Sequence, residues 1–176
     1  MISKLISIFI SACLSAIRVD ALSLQGRLSE GNYTITHLLT RFQVQCNNNS
    51  GHIYAGYADP DGNSGQWSLS RAEGRHNNSF YLYNNACNGS ATVMNLREGG
   101  SVTTSANRTL AFVFDQALFL PDTYTIRPNT SHNLYWVATP TVTFKFNDVE
   151  PEAPVEPVRV EGLEYRLAEL FLVNPI

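Results

Sequence analysis

The segment Asn32-Tyr33-Thr34-Ile35 recurs along the chain as Phe80-Tyr81-Leu82-Tyr83 and again as Thr123-Tyr124-Thr125-Ile126. Each copy is an aromatic and aliphatic segment, and in the first copy Tyr33 and Ile35 alternate with threonines in the manner of a half-buried β-strand. A second type of strand follows each copy. These three strands are Gln66-Trp67-Ser68-Leu69, Leu110-Ala111-Phe112-Val113-Phe114 and Glu169-Leu170-Phe171-Leu172-Val173. The sequence therefore predicts two strand types, each used three times.

Turn-forming segments separate these strands from shorter ones. Asn47 to Gly51, Asp59 to Gly65 and Glu98 to Gly100 are rich in Asn, Asp and Gly, which favour turns. Repeats of about 45 residues with four strands each predict three units that share one core. We therefore predict an all-β chain with a single β-trefoil domain over residues 22–176. A β-sandwich fits the strand count but gives no reason for the threefold recurrence.

Two of the shorter strands are predicted from residues 91–96 and 141–146, where apolar side chains are frequent. The stretch 148–157 contains three prolines and several acidic residues. Proline removes a hydrogen-bond donor from the strand ladder, so this stretch is predicted to lie outside the central strands.

Residues 1–21 form a predicted secretory signal peptide. Lys4 precedes an apolar run, and Val19-Asp20-Ala21 fits a small-residue cleavage site. The run is too short to span a bilayer, so we expect a secreted, extracellular protein with no transmembrane segment. Ile10-Ser11-Ala12-Cys13 also fits a bacterial lipoprotein cleavage rule, which leaves a lipid-anchored protein as an alternative.

Composition limits the classes of partner. The net charge of −3 and a pI near 5.8 argue against a nucleic-acid-binding surface. A chain of 176 residues can bury a sizeable core without a metal ion or an oligomeric partner. We expect a monomer.

The sequence contains six sites of the form Asn-x-Ser/Thr, which mark surface positions when they are glycosylated. Their number favours a secreted eukaryotic glycoprotein, although an Asn-rich sequence also produces such sites by accident. The candidate glycosylation sites are Asn32, Asn48, Asn77, Asn88, Asn107 and Asn129.

Cys46 and Cys87 remain as a pair once Cys13 is removed with the signal peptide. In an oxidising compartment an even pair predicts a disulfide, and a bridge of this span would stabilise the fold by roughly 4 kcal/mol. Two unpaired thiols are the alternative. The CxxC spacing of zinc sites is absent.

Several segments resemble the fungal β-trefoil protease inhibitors of the clitocypin and macrocypin type. They include Glu30-Gly31-Asn32-Tyr33-Thr34-Ile35, Trp67-Ser68-Leu69, Tyr124-Thr125-Ile126 with Trp136-Val137, Pro157-Val158-Arg159-Val160 and Ala168-Glu169-Leu170-Phe171-Leu172-Val173. The resemblance covers most of the chain from Glu30 onward as a pattern, without a diagnostic motif. It implies a rigid barrel whose loops block papain-like or legumain-like cysteine proteases, and serine proteases stay open as targets.

The resemblance also assigns contact residues to three loops. The first loop contains His37, Leu38 and Leu39. The second contains Asp59, Pro60, Asp61, Gly62 and Asn63, and the third contains Asn84 and Asn85. Asn85 is the expected contact with asparaginyl proteases, because Asn88 belongs to a glycosylation site.

A carbohydrate-binding trefoil is the main alternative. Sugar sites combine an aromatic side chain with nearby polar acceptors, and here the candidates are Tyr54, Tyr57, Asp59, Asp61, Asn63 and Trp67. The ricin-type signature places Gln and Trp two positions apart, whereas Gln66 and Trp67 are adjacent. Trp67 is therefore expected in the core.

Catalysis finds little support in the sequence. The four histidines are scattered, and a Gly-x-Ser-x-Gly nucleophile motif is absent. The loop from Asp59 lacks the Glu that closes a calcium loop. We expect no enzyme activity, no cofactor and no metal ion.

A bacterial surface or pilus subunit is a less favoured alternative. Residues 119–125 resemble the turn-to-strand step of such subunits, and Cys46 with Cys87 could form their single bridge. Such a chain would need an exposed hydrophobic groove and a donor strand from a neighbour. The threefold pattern argues against it, and we predict a trefoil that acts by binding a protease or a glycan.

Overall fold

The computed structural model describes residues 28–58, 62–74, 77–107, 109–131, 133–138, 156–162 and 168–176. Twelve strands form within these residues, with a short 3-10 helix at Asn63–Gly65. The strands are β1 Gly31–His37, β2 Gln43–Cys46, β3 Ile53–Gly56, β4 Gln66–Arg71, β5 Ser79–Asn84, β6 Gly89–Val93, β7 Gly100–Ser105, β8 Phe112–Gln116, β9 Thr123–Pro128, β10 Tyr135–Ala138, β11 Glu156–Glu161 and β12 Phe171–Pro175.

Six long strands close into a barrel. Within the three units β1 pairs with β4, β5 with β8, and β9 with β12. Between the units β4 pairs with β5, β8 with β9, and β12 with β1. All six pairings are antiparallel, and the last one joins the C-terminal strand to the first strand. The predicted organisation in three four-stranded units is thereby confirmed.

The remaining strands form three hairpins that cover one end of this barrel. They are β2–β3, β6–β7 and β10–β11. Strand β11 pairs with both β3 and β7, so the hairpins also contact one another. We call this the capped end. The opposite end carries the connections from β4 to β5 and from β8 to β9, together with the C-terminus.

The recurring aromatic and aliphatic positions form the core. All twelve apolar side chains that alternate along the six barrel strands are buried. They are Tyr33, Ile35, Trp67, Leu69, Phe80, Leu82, Phe112, Phe114, Tyr124, Ile126, Phe171 and Val173. Trp136 from β10 packs edge-on against Phe112, with ring centroids 5.0 Å apart. The recurring segments therefore specify the fold and contribute little to the surface.

Two sequence predictions on strands are only partly correct. The predicted strand 91–96 is wrong at its end, because β6 stops at Val93 and Arg97 donates a backbone hydrogen bond to Asn95 within a tight hairpin turn (2.7 Å). The proline-spaced stretch is only partly outside the strands, since β11 begins at Glu156. Among the described residues, Pro157 has a strand partner on one side only, Tyr54 of β3, because the ladder with β10 begins at Val158, and such an edge position tolerates proline.

Residues 141–146 and the predicted signal peptide lie outside the described residues. None of the described residues belongs to a helix with the length and apolarity that a bilayer crossing requires.

Candidate functional site

A disulfide joins Cys46 at the end of β2 to Cys87 in the connection that follows β5. This confirms the predicted pairing across 41 residues of sequence. The bridge ties the first hairpin to the second unit, at the capped end. Cys46 is buried and Cys87 is half-buried.

Three connections adjoin one another on this side of the barrel, and we call their described residues the loop face: residues 38–42, residues 57–58 with 62–65, and residues 85–88. The ring of Phe42 in the first connection packs edge-on against the ring of Tyr57 in the second, with centroids 4.9 Å apart. Asn84, the last residue of β5, links the second connection to the third through its side chain. The described parts of the three connections are therefore joined to one another.

The side chain of Asn84 makes three hydrogen bonds. Its Nδ2 donates to the carbonyl oxygens of Ser64 (2.8 Å) and Gln66 (3.1 Å), and its Oδ1 accepts from the backbone N–H of Cys87 (3.0 Å). Asn84 is fully buried. A buried amide with partners for both of its polar atoms holds its neighbours in one arrangement.

Gln45 fixes the second connection from below. Its Nε2 donates to the carbonyl oxygen of Tyr57 (2.5 Å), while its Oε1 accepts from the hydroxyl groups of Tyr54 and Ser64 (both 3.2 Å). Gln45 is almost fully buried. This role is not visible in the sequence, because a Gln within an alternating strand is usually exposed.

Gly65 shows how closely this connection approaches the barrel. A Cβ atom at position 65 would lie only 2.4 Å from the side-chain amide carbon of Gln43. The Nε2 of Gln43 donates to the carbonyl oxygen of Gly65 (3.4 Å). A larger residue at position 65 would therefore have to displace the side-chain amide of Gln43.

The first predicted loop begins later than the sequence suggested. Leu39 is exposed (58%) and Leu38 is half-buried, but His37 is the last residue of β1 and is fully buried. The expectation that His37 contacts a partner is therefore corrected. Its Nδ1 lies 2.9 Å from the hydroxyl of Thr40, and its ring packs against Phe171.

His37 supports the first connection from inside. Burial lowers the pKa of His37 below its usual value, because the charged imidazolium would lose its hydration, and a hydrogen bond to the backbone of Ala168 partly opposes this effect. The neutral imidazole is therefore the favoured form in the folded protein.

The other predicted contact residues divide in a similar way. Asn63 and Asn85 are exposed and Gly62 is half-buried, whereas Asp59, Pro60 and Asp61 lie outside the described residues. Asn84 is buried, so it cannot contact a protease directly as expected. It supports the second and third connections instead. Asn85 stays available at the surface.

Aromatic side chains of the sugar-binding alternative have different positions. Trp67 is fully buried, as predicted, and its Nε1 donates to the carbonyl oxygen of Val44 (2.9 Å). Tyr54 is half-buried and directed to Gln45. Tyr57, in contrast, is 64% exposed on the loop face.

Five of the candidate glycosylation sites are exposed, and the sixth, Asn129, is half-buried. The exposed sites are Asn32, Asn48, Asn77, Asn88 and Asn107. Asn48 and Asn88 flank the disulfide beside the loop face, and the Oδ1 of Asn48 lies 3.4 Å from the Sγ of Cys87.

Within the described residues, His, Cys, Asp and Glu side chains form no group of three that could hold a metal ion. His52 is exposed, and His76 and His132 lie outside the part of the chain that the structure describes.

No family model matches this sequence, and no curated protein sequence matches it. Solved structures do resemble it. The Rhizoctonia solani agglutinin has a TM-score of 0.67 at 13% identity, covering 85% of this chain and 97% of its own. The Macrolepiota procera ricin B-like lectin, solved in complex with lactose, has a TM-score of 0.67 at 12% identity, covering 86% of this chain and 100% of its own.

A proteinase inhibitor from Coprinopsis cinerea has a TM-score of 0.55 at 14% identity, covering 85% of this chain and 99% of its own. The fold is a β-trefoil. Identities this low show the fold alone.

The C-terminal strand β12 has a strand partner on each side, β1 and β9. The barrel is therefore closed, whereas a pilus subunit would require an incomplete sheet.

Proposed function

We propose that this β-trefoil is a secreted protease inhibitor that binds its target through the loop face. Papain-like and legumain-like cysteine proteases are the first candidates, and serine proteases are the next. Leu39, Asn63 and Asn85 are the described residues that would contact the enzyme. Asn85 is proposed to engage asparaginyl proteases, as the resemblance to clitocypin-type inhibitors implies.

The observation that carries this proposal is the mutual support of the three connections. Phe42 and Tyr57 join the first to the second, and Asn84 joins the second to the third. The disulfide anchors the third connection to the first hairpin. A loop that is already ordered loses less entropy when an enzyme cleft closes on it, which is what a tight, non-cleaved inhibitor needs.

The fold is compatible with this function, since a proteinase inhibitor from Coprinopsis cinerea shares it. The half-buried and exposed apolar side chains on the loop face add contact area. Leu39 is 58% exposed and Tyr57 is 64% exposed. Aromatic and aliphatic anchors of this kind supply much of the affinity of protein interfaces.

The test is titration of the purified protein against one papain-like, one legumain-like and one serine protease. The proposal expects loss of activity of at least one enzyme at micromolar protein or below, with a stoichiometric end point. Absence of inhibition in all three titrations, together with a selective hit on a glycan array, would overturn it.

Glycan binding is the second candidate, and Tyr57 is the observation that favours it. Its ring is exposed on the loop face, as an aromatic platform for a sugar would require, and exposed Asn63 belongs to the same connection. Trefoils that share the fold include a lectin solved with lactose and one bound to asialo-GM1 saccharide. Tyr57→Ala should abolish a glycan signal if this function is correct.

Secretion is part of the proposal. Cleavage after Ala21 and glycosylation of the Asn-x-Ser/Thr sites would follow from export, and the disulfide fits an oxidising compartment. Mass spectrometry of the protein from a secreting eukaryotic host checks the new N-terminus and counts the occupied sites. A retained N-terminus would contradict cleavage.

A further inference from the structure

The connection from β8 to β9 ends in an apolar tip. Leu118 is 74% exposed, Phe119 is 98% exposed and Leu120 is 40% exposed. Three consecutive large apolar side chains in solvent are unusual for a monomeric protein, and contiguous apolar surface of this kind marks an interaction site. We call these three residues the apolar tip.

The backbone of this connection is closed on itself. The N–H of Leu120 donates to the carbonyl oxygen of Ala117 (3.4 Å), and the N–H of Ala117 donates to the carbonyl oxygen of Thr123 (2.8 Å). The hydroxyl of Thr123 donates to the carbonyl oxygen of Pro121 (3.0 Å), and Pro121 itself has no N–H. The turn thus satisfies several of its polar groups internally, which lowers the cost of moving it out of water.

The stability of the fold does not explain why Phe occupies position 119. Its φ angle is +67°, a conformation that turns assign to Gly or Asn. A bulky residue there is strained, and a ring that is 98% exposed gains no packing in return. An outlier without a structural benefit is grounds for a functional hypothesis.

The apolar tip lies at the end of the barrel opposite the hairpins. The strand pairs Gln116 with Tyr124, Arg71 with Phe80 and Tyr33 with Pro175 place the end of β8, the end of β4 and the C-terminus at this one end. Ile176, the last residue, is also exposed there. The loop face belongs to the capped side, so the two surfaces can act independently.

The charges beside the apolar tip restrict the kind of surface that it can bind. No charged side chain occurs from Gln116 to Pro121. Asp115 and Asp122 flank the connection, and the Oδ2 of Asp115 is paired with the Nε of Arg127 (2.9 Å). Because Arg127 compensates the charge of Asp115, Asp122 is the carboxylate that would repel an anionic surface, and the connection contains no lysine or arginine that would attract one.

We propose that the apolar tip inserts into the interfacial region of an electrically neutral phospholipid bilayer, with the loop face turned away from the membrane. A bilayer accepts a convex tip without the matching pocket and polar rim that a protein partner must supply. Burial of Phe119 and its two leucine neighbours provides the attraction, and the uncharged turn avoids the cost of burying a charge.

The test measures co-sedimentation with phosphatidylcholine vesicles. Phe119→Ser should lower the partition coefficient about tenfold, the loss expected for one large apolar side chain. Phe119→Gly should do the same and keep or raise thermal stability, because Gly accepts the positive φ. Met94→Ser removes an exposed apolar side chain on the β6–β7 hairpin and should leave partitioning unchanged. All variants carry the same N-terminal segment, so any contribution of that segment to vesicle binding cancels in the comparison.

Phe119→Trp reports insertion directly. Trp67 and Trp136 are fully buried, so a blue shift of the emission and quenching by brominated lipid on addition of vesicles would come from position 119. Equal partitioning of wild type and Phe119→Ser, or no partitioning at millimolar lipid, overturns the proposal. So does binding only to anionic vesicles, or a dimer in sedimentation that Phe119→Ser dissociates, since the tip would then contact a second copy.

Discussion

The side-chain Nδ2 of Asn84 donates a hydrogen bond to the carbonyl oxygen of Ser64 at 2.8 Å, and this bond joins two connections that are 20 residues apart in sequence. The same side chain accepts from the N–H of Cys87. The next residue, Asn85, is exposed. Among the described residues its side chain makes no hydrogen bond that contributes to this link. Two adjacent asparagines therefore have separable roles, one inside the fold and one at its surface.

Asn84→Ala should destabilise the protein by about 2–4 kcal/mol, because it leaves buried backbone groups without their partners. This corresponds to a decrease in Tm of roughly 5–15 °C for a domain of this size. Thermal or denaturant unfolding measures the change. Asn85→Ala is the matched control and should stay within about 0.5 kcal/mol of wild type. Equal effects of the two substitutions would contradict the assignment of Asn84 as the buried link.

Asn85→Ala should instead affect function. If the loop face inhibits asparaginyl proteases through Asn85, this variant loses that inhibition. It keeps inhibition of papain-like enzymes, because the resemblance to clitocypin-type inhibitors implies that the first two connections block those enzymes. Inhibition constants against both enzyme classes give the answer. Unchanged constants for both classes would show that Asn85 is not the contact.

Removal of the disulfide tests how far the third connection depends on it. Cys46→Ser with Cys87→Ser opens a loop closed across 41 residues, and the free energy of unfolding should fall by about 2–4 kcal/mol. Denaturant titration of the oxidised, reduced and double-variant proteins measures this loss. The reduced wild type should match the double variant. A double variant as stable as the oxidised wild type would mean that packing alone holds the two segments together.

The barrel could be predicted from sequence because its strands repeat one period. A change of register by one residue would turn Tyr33 and Ile35 to solvent, so the alternation and its threefold recurrence leave few alternatives. Trp67 is expected in the core on a different ground, the absence of the ricin-type spacing of Gln and Trp, and the disulfide is predicted from an even pair of cysteines in an oxidising compartment. The core and the order of the strands are thus properties of local pattern.

The support beneath the loops could not be predicted, because burial of a polar side chain depends on partners that are distant in sequence. Gln45 and Asn84 look like surface residues until Ser64 and Tyr57 are placed beside them. His37 has the alternation of an inward-facing residue, since it is two positions after buried Ile35. That signal was present, but its polarity suggested a loop.

His37 predicts a loss of stability in mild acid. Burial lowers its pKa in the folded state, whereas in the unfolded chain the value is near 6.5. The unfolded state therefore binds more protons as the pH falls below about 6.5, and the free energy of unfolding decreases. His37→Gln should reduce the difference in stability between pH 7.5 and pH 5.5. An unchanged difference would assign the acid sensitivity to other groups.

The glycosylation site at Asn88 predicts a coupling to the loop face. The N–H of Asn88 bonds to the carbonyl oxygen of Asn85 (3.3 Å), so both residues share one turn. The hydroxyl of Tyr83 donates to the Oδ1 of Asn88 (2.5 Å), which leaves Nδ2 for a glycan. A glycan there would stand beside Asn85 and hinder a large enzyme. Ser90→Ala abolishes the site without changing Asn88. When the protein is produced in a glycosylating host, this variant should inhibit asparaginyl proteases more strongly than wild type.

Thr109→Ala is the control for that variant, because it removes the site at Asn107 in the connection between β7 and β8. It should lose the mass of one glycan and leave the inhibition constant unchanged. Enzymatic deglycosylation of wild type should reproduce the Ser90→Ala result. If both variants lose a glycan and the constants of both equal that of wild type, the enzyme does not approach the turn that Asn85 and Asn88 share, because a glycan at that point would have to be displaced for the contact to form.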